Sequence, residues 1–183
     1  MTDNPADQSG TAPPGSDQHR VDHLRVELRA CLAVPRWIDE VAAQAPFASV
    51  DDLIEAGRRA ANPLTPEEVE AALADHPRIG DKPEGEGAAQ AFSRSEQASL
   101  GDDDDAETAA AIAEGNAIYE KRFDRVFLIR AAGRSRSDIL AELNRRIRLD
   151  EQEEFAIVEQ QLREIALLRL EKTFTERGIE VAE

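Results

Sequence analysis

Three times in this sequence a serine or threonine stands three residues ahead of an acid at the head of an apolar run: Ser49 with Asp52, Thr65 with Glu68, and Ser135 with Asp138. This is capping-box spacing, in which hydroxyl and carboxylate satisfy backbone N–H groups that the first turn of a helix leaves free. Pro66 fills the first helical position after Thr65, where its missing N–H costs nothing. The boxes predict helices carrying Leu53, Ile54 and Ala56, then Val69, Ala72 and Leu73, then Ile139, Leu140, Leu143 and Ile147 on their buried faces.

Prolines punctuate the rest. Leu24, Val26, Leu28, Cys31 and Leu32 suggest a helix stopped by Pro35, and Trp37, Ile38, Val41 and Ala42 another that Pro46 ends. Later helices are expected over about 106–122 and 151–175. Aromatics are 4% of the chain, while Ala, Leu, Glu and Arg dominate, and straight side chains lose little rotamer freedom in a helix. The expectation is an all-α, single-domain bundle of about 7–9 helices over 20–178, with a disordered polar tail at 1–19 and a short C-terminal tail at 179–183.

A net charge of −16 disfavours nucleic acid and anionic membrane surfaces as partners. A small anion stays possible, because all but three of the 22 basic residues are arginines, whose planar fork suits carboxylates. Cys31 is the only cysteine, which excludes an internal disulfide and fits a reducing cytoplasm. No apolar run approaches the ~18 residues of a membrane span. P-loop, dinucleotide-binding, zinc-protease and nucleophile-elbow motifs are missing, so no cofactor and no metal are expected.

Four places can carry chemistry. His76 ends a helical pattern in LADHPRIGD, and Pro77 pushes it out of helical geometry; it is either a proton-transfer group or a helix-end histidine favoured by the dipole. Glu96 lies in SRSEQ at capping-box distance from Ser93, so it serves either the backbone or a ligand at a helix N-terminus. Arg169 continues the apolar stripe Phe155, Val158, Leu162, Ile165, and therefore either snorkels to water or is held against an anion. LIRAAGRS is a short apolar run before Gly133, either a core connector or backbone brought close to a planar ligand.

In order, VPRWIDEVAAQAPFAS, LADHPRIGD, SRSEQASL, NAIYEKRFDRVFLIRAAGRSRSDIL and EIALLRLEK resemble the OHCU decarboxylase family, which acts on 2-oxo-4-hydroxy-4-carboxy-5-ureidoimidazoline in urate breakdown. The resemblance runs from about Leu24 to Lys172; the polar tail and the acidic insertion after SRSEQASLG depart from it. It implies an all-helical, commonly dimeric enzyme that makes (S)-allantoin without a cofactor. It also implies catalytic roles for His76, Glu96 and Arg169, with Arg163 the other candidate for the late arginine. Substrate contacts are implied for Pro77, for Ser93, Arg94, Ser95, Glu96 and Gln97, and for the backbone of Leu128, Ile129, Arg130, Ala131 and Ala132. The competing reading is an acidic helical module that binds a partner or dimerises without chemistry. That reading gives no reason for His76, Glu96 and Arg169 to lie within ~10 Å of one another.

Overall fold

A computed structural model describes residues 16–74, 76–81, 87–98 and 106–177, and among them the chain is all helix and connection, without strands. The expected tail up to residue 15, the acidic run Asp102–Asp105 and the segment 179–183 lie outside them. Eight helices follow in order among the described residues: α1 Ser16–Cys31, α2 Pro35–Ala42, α3 Val50–Ala60, α4 Pro66–Leu73, α5 Ala88–Ala98, α6 Ala106–Phe123, α7 Arg136–Arg146 and α8 Glu151–Arg177.

The caps act where the sequence puts them. Thr65 and Glu68 form a reciprocal box at α4, and Ser135 and Asp138 form another at α7. Ser49 accepts from the Asp52 N–H at 3.1 Å to start α3 but closes only that half of the box. Two expectations shift. Helix α1 already begins at Ser16, within the stretch assigned to the tail. Val26 is 65% exposed rather than buried, because Leu24, Leu28 and Cys31 share one helical face and position 26 falls off it.

Two apolar clusters organise the packing. The larger gathers Leu28, Trp37, Val41, Leu53, Val69, Val158, Leu162 and Leu170, so that α8 runs as a spine against α1, α3 and α4. The smaller joins Ile112, Tyr119, Phe123, Ile139 and Leu143 across α6 and α7. These two helices approach closely because Gly115 has no side chain; a Cβ there would lie 2.5 Å from Leu143 Cδ2.

The connection between α6 and α7 is what joins the two halves. Leu128 belongs to the larger cluster, while Phe127, Ile129 and Ala131 belong to the smaller one. Such alternation is that of an extended chain held between two cores. Gly133, at φ +78, makes the turn that follows; a Cβ there would meet no protein atom within 4 Å, so within the fold it is the turn that calls for glycine.

Candidate active site

The loop after α4 presents His76. Its N–H donates to the Leu73 carbonyl at 2.9 Å, closing the helix end. Further along, Ile79 is buried in the smaller core, Asn116 Nδ2 donates to the Ile79 carbonyl at 2.9 Å, and Arg78 Nη2 pairs with Glu120 at 2.7 Å. Two residues one turn apart on α6 thus fix the backbone that carries the imidazole.

Helix α5 supplies the carboxylate, and the structure corrects how it does so. The sequence pattern placed SRSEQ at a helix N-terminus, whereas α5 begins at Ala88. Ser93 and Glu96 are therefore mid-helix: the Ser93 hydroxyl donates back to the Ala89 carbonyl at 3.1 Å, four residues earlier. No helix-end anion site forms from these residues, and Glu96 is released from capping duty.

Its carboxylate meets Arg169 instead. Arg169 Nε and Nη2 donate to the two oxygens of Glu96, each at 2.8 Å, in the two-pronged geometry an arginine makes best. Nη2 also reaches Ser93 Oγ at 3.4 Å, and the guanidinium stands 5.5 Å from the Phe92 ring centroid. Arg169 is only 4% exposed although it occupies an apolar stripe, so of the two sequence alternatives it is held against an anion. Arg163 pairs with Glu159 one turn back on its own helix, partly exposed.

His76, Pro77, Ser93 and Glu96 line a cavity of about 30 Å³ with Ile79, Phe127, Leu128, Ile129, Ala131 and Ile165. A second cavity of about 450 Å³ shares Glu96, Ala131 and Ile165 with the first, and adds Ser95, Arg130, Ala132 and Arg169 together with Phe92, Leu168 and Lys172. Glu96 thus borders both spaces, and its partner Arg169 borders the larger one. Lys172 Nζ donates to Ser95 Oγ at 2.9 Å. Arg94 is exposed and lines neither cavity, and the side chain of Gln97 is outside the described set.

Sequence reasoning missed Phe127, Ile165, Phe92 and Leu168, which read as ordinary core, and Lys172, which read as surface. It also missed a buried ionic cluster behind the site. Arg146 and Glu154, both 0% exposed, pair with each other, and the Tyr119 hydroxyl donates to the same carboxylate. Within a capped helix, Glu154 looks like a first-turn acid and Arg146 like a last-turn base, which hid them.

Enclosure sets the charge state of His76. Burial, chiefly, and the Arg169 cation push its pKa down from 6.5 to about 4, with Glu96 opposing. The imidazole is neutral near pH 7. Nearby Cys31 is no nucleophile, since burial pushes its thiol up to about 12.

Above pH 6.5 His76 is neutral whether the chain is folded or not. As pH falls through 6.5 the unfolded chain takes a proton that the native state refuses, so stability declines until about pH 4. His76 keeps some solvent contact, which limits the loss to about 2 kcal/mol by pH 4.5. Denaturant titrations of wild type and His76→Gln at pH 7 and 4.5 check this: the variant should lose less stability over the interval, and equal losses would contradict it.

Among the described residues, an all-helical frame brings the His76 imidazole and the Glu96–Arg169 pair to adjoining cavities. The family model for OHCU decarboxylase matches residues 18–171, and the chain belongs to that family of carboxy-lyases. Among solved structures, a crystal structure of OHCU decarboxylase in the presence of (S)-allantoin matches with a TM-score of 0.70 and 24% identity, over 82% of this chain and 98% of that one. A crystal structure of (S)-allantoin synthase matches with a TM-score of 0.56 and 16% identity, over 85% of this chain and 53% of that one, so this chain spans about half its length. These likenesses are of fold. Comparison with curated proteins by sequence finds no match.

Proposed function

We propose that this protein converts OHCU to (S)-allantoin, with His76 handling protons, Arg169 holding the anionic part of the substrate and Glu96 fixing the guanidinium. The observation that carries the reading is the convergence: Arg169 and Glu96 are 73 residues apart in sequence and paired at 2.8 Å, and Glu96 shares a cavity with His76. A docking module has no use for that arrangement.

The chemistry fits the charge states. The reacting ring carbon carries a carboxylate and a hydroxyl beside a C=N bond. When the carbon–carboxylate bond breaks, carbon dioxide leaves, the bonding pair forms a carbon–carbon double bond, and the C=N electrons go to the ring nitrogen, which takes a proton from solvent to give an enol-like intermediate. Neutral His76 accepts the hydroxyl proton, and a proton delivered to the neighbouring carbon from one face sets the (S) configuration. Arg169 stabilises the negative charge on the way.

The 30 Å³ space beside His76 admits only water-sized groups, so the substrate's ring and ureido arm extend past Glu96 and Ala131 into the larger cavity that Arg169 lines. Pro77, Ser93, Ser95 and the backbone of residues 128–132 supply the remaining contacts in this reading. The family resemblance further supports a homodimer, and the cysteine usage supports a reducing, cytoplasmic location. No helix among the described residues is long and apolar enough to cross a membrane, and Cys31 is a free thiol.

The test generates OHCU in situ from urate and follows the optical activity of the allantoin formed. Spontaneous decay gives both enantiomers, whereas the protein should give the (S) form alone. Racemic product at the uncatalysed rate would overturn the reading.

A further inference from the structure

The small cavity is bordered by three consecutive residues, Phe127, Leu128 and Ile129, whose side chains go alternately to the two cores. A space that touches neighbours pointing in opposite directions lies along the edge of an extended chain, where the peptide groups are, and not on either face. What holds that edge in place is visible on the other side. Arg146 Nη1, from α7, donates to the Leu128 carbonyl at 2.8 Å. Gln161 Oε1, from α8, accepts from the Arg130 N–H at 2.8 Å.

Residues two apart in an extended chain turn their peptide groups to the same edge. The two tethers therefore occupy one edge, and the groups of Ile129 and the N–H of Ala131 fall on the opposite one. Both tethers are rigidly held. Arg146 is fully buried, paired with Glu154 and stacked 4.6 Å from the Phe127 ring centroid, while Glu154 also accepts from Tyr119. Gln161 is 8% exposed, and its Nε2 lies 3.5 Å from Glu164.

We propose that Gln161 and Arg146 are positioning residues, which tie one edge of the 128–131 segment so that the other edge presents N–H and C=O groups to the planar amide and urea groups of the substrate. This rests on the proposed function, and it names the residues that give the backbone its recognising geometry. Neither residue touches substrate: a donor and an acceptor on two different helices fix the segment's height and tilt against the cavity.

Gln161→Met keeps the side-chain length and removes the acceptor, whereas Gln161→Glu keeps an acceptor for the Arg130 N–H. The methionine variant should raise KM for OHCU on the order of ten- to a hundredfold, the scale expected when a binding group is misplaced by about 1 Å. It should change kcat less, lower the enantiomeric excess and accelerate hydrogen exchange at the Arg130 amide. The glutamate variant should restore KM and the amide's protection toward wild type. If Gln161→Met does not fold, Gln161→Ala carries the same comparison.

An active wild type beside a folded Gln161→Met protein with unchanged KM and unchanged Arg130 exchange would overturn this inference alone. So would equal losses in the methionine and glutamate variants, which would mean mere packing. A wild type that neither turns over OHCU nor binds (S)-allantoin would remove the functional reading and this inference together.

Discussion

Replacing Arg169 with methionine is expected to lower decarboxylation on the order of a hundredfold, as loss of a charge-stabilising donor does in other enzymes. Three further readouts distinguish this from simple damage. The guanidinium is 4% exposed and doubly bonded to Glu96, so its removal leaves a carboxylate that desolvation made dependent on it. Glu96 is 27% exposed at its side chain and can partly rehydrate, which brings the stability cost down to about 2–3 kcal/mol from the 3–5 typical of fully buried pairs. Glu96→Gln should cost less, and the double variant less than the sum of the singles, because the two side chains form one unit. Last, the imidazole reports the pair's field. Arg169 lowers the His76 pKa and Glu96 raises it, so Arg169→Met should move it up and Glu96→Gln should move it down. An NMR titration of His76 in the two variants measures both signs; shifts in one direction would mean that neither charge acts on the imidazole directly.

The sequence made some of this legible and concealed the rest for physical reasons. Helix starts at Ser49, Thr65 and Ser135 were readable because capping is local, a matter of one hydroxyl and a few N–H groups. Arg169 stood out because a charge in the apolar stripe of α8 needs a partner, though the sequence did not say which. The setting of its partner is less legible. Ser93 and Glu96 have the spacing of a capping box whether they begin a helix or lie within one, and only the start of α5 at Ala88 decides between them. The Arg146–Glu154–Tyr119 cluster was invisible because Arg146 and Glu154 look like ordinary helix-end charges and Tyr119 like a core aromatic until three helices bring them together. The tether at Gln161 was hidden likewise, since a glutamine four residues before Ile165 carries no periodic signal that its oxygen meets a backbone N–H of another segment.

His76→Gln should lower kcat by about 10²–10⁴, the usual contribution of one general acid–base group, while KM stays within a fewfold of wild type. Glutamine matches the reach of the imidazole and can hydrogen-bond, but it cannot take a proton, so binding and chemistry separate. The pH profile sharpens the test. Because enclosure holds the His76 pKa near 4, the proton-accepting form predominates from pH 8 down to about 5, and kcat/KM should be flat there and fall only as pH approaches 4. Protonating the imidazole removes its lone pair, so the acid limb has a slope of one and disappears in the glutamine variant. A wild-type profile that instead fell between pH 7 and 6 would show an imidazole titrating as it does in water. It would mean that His76 meets the substrate in an open, solvated site, and that the enclosure by Ile79, Phe127 and Ile165 does not set its proton affinity during turnover.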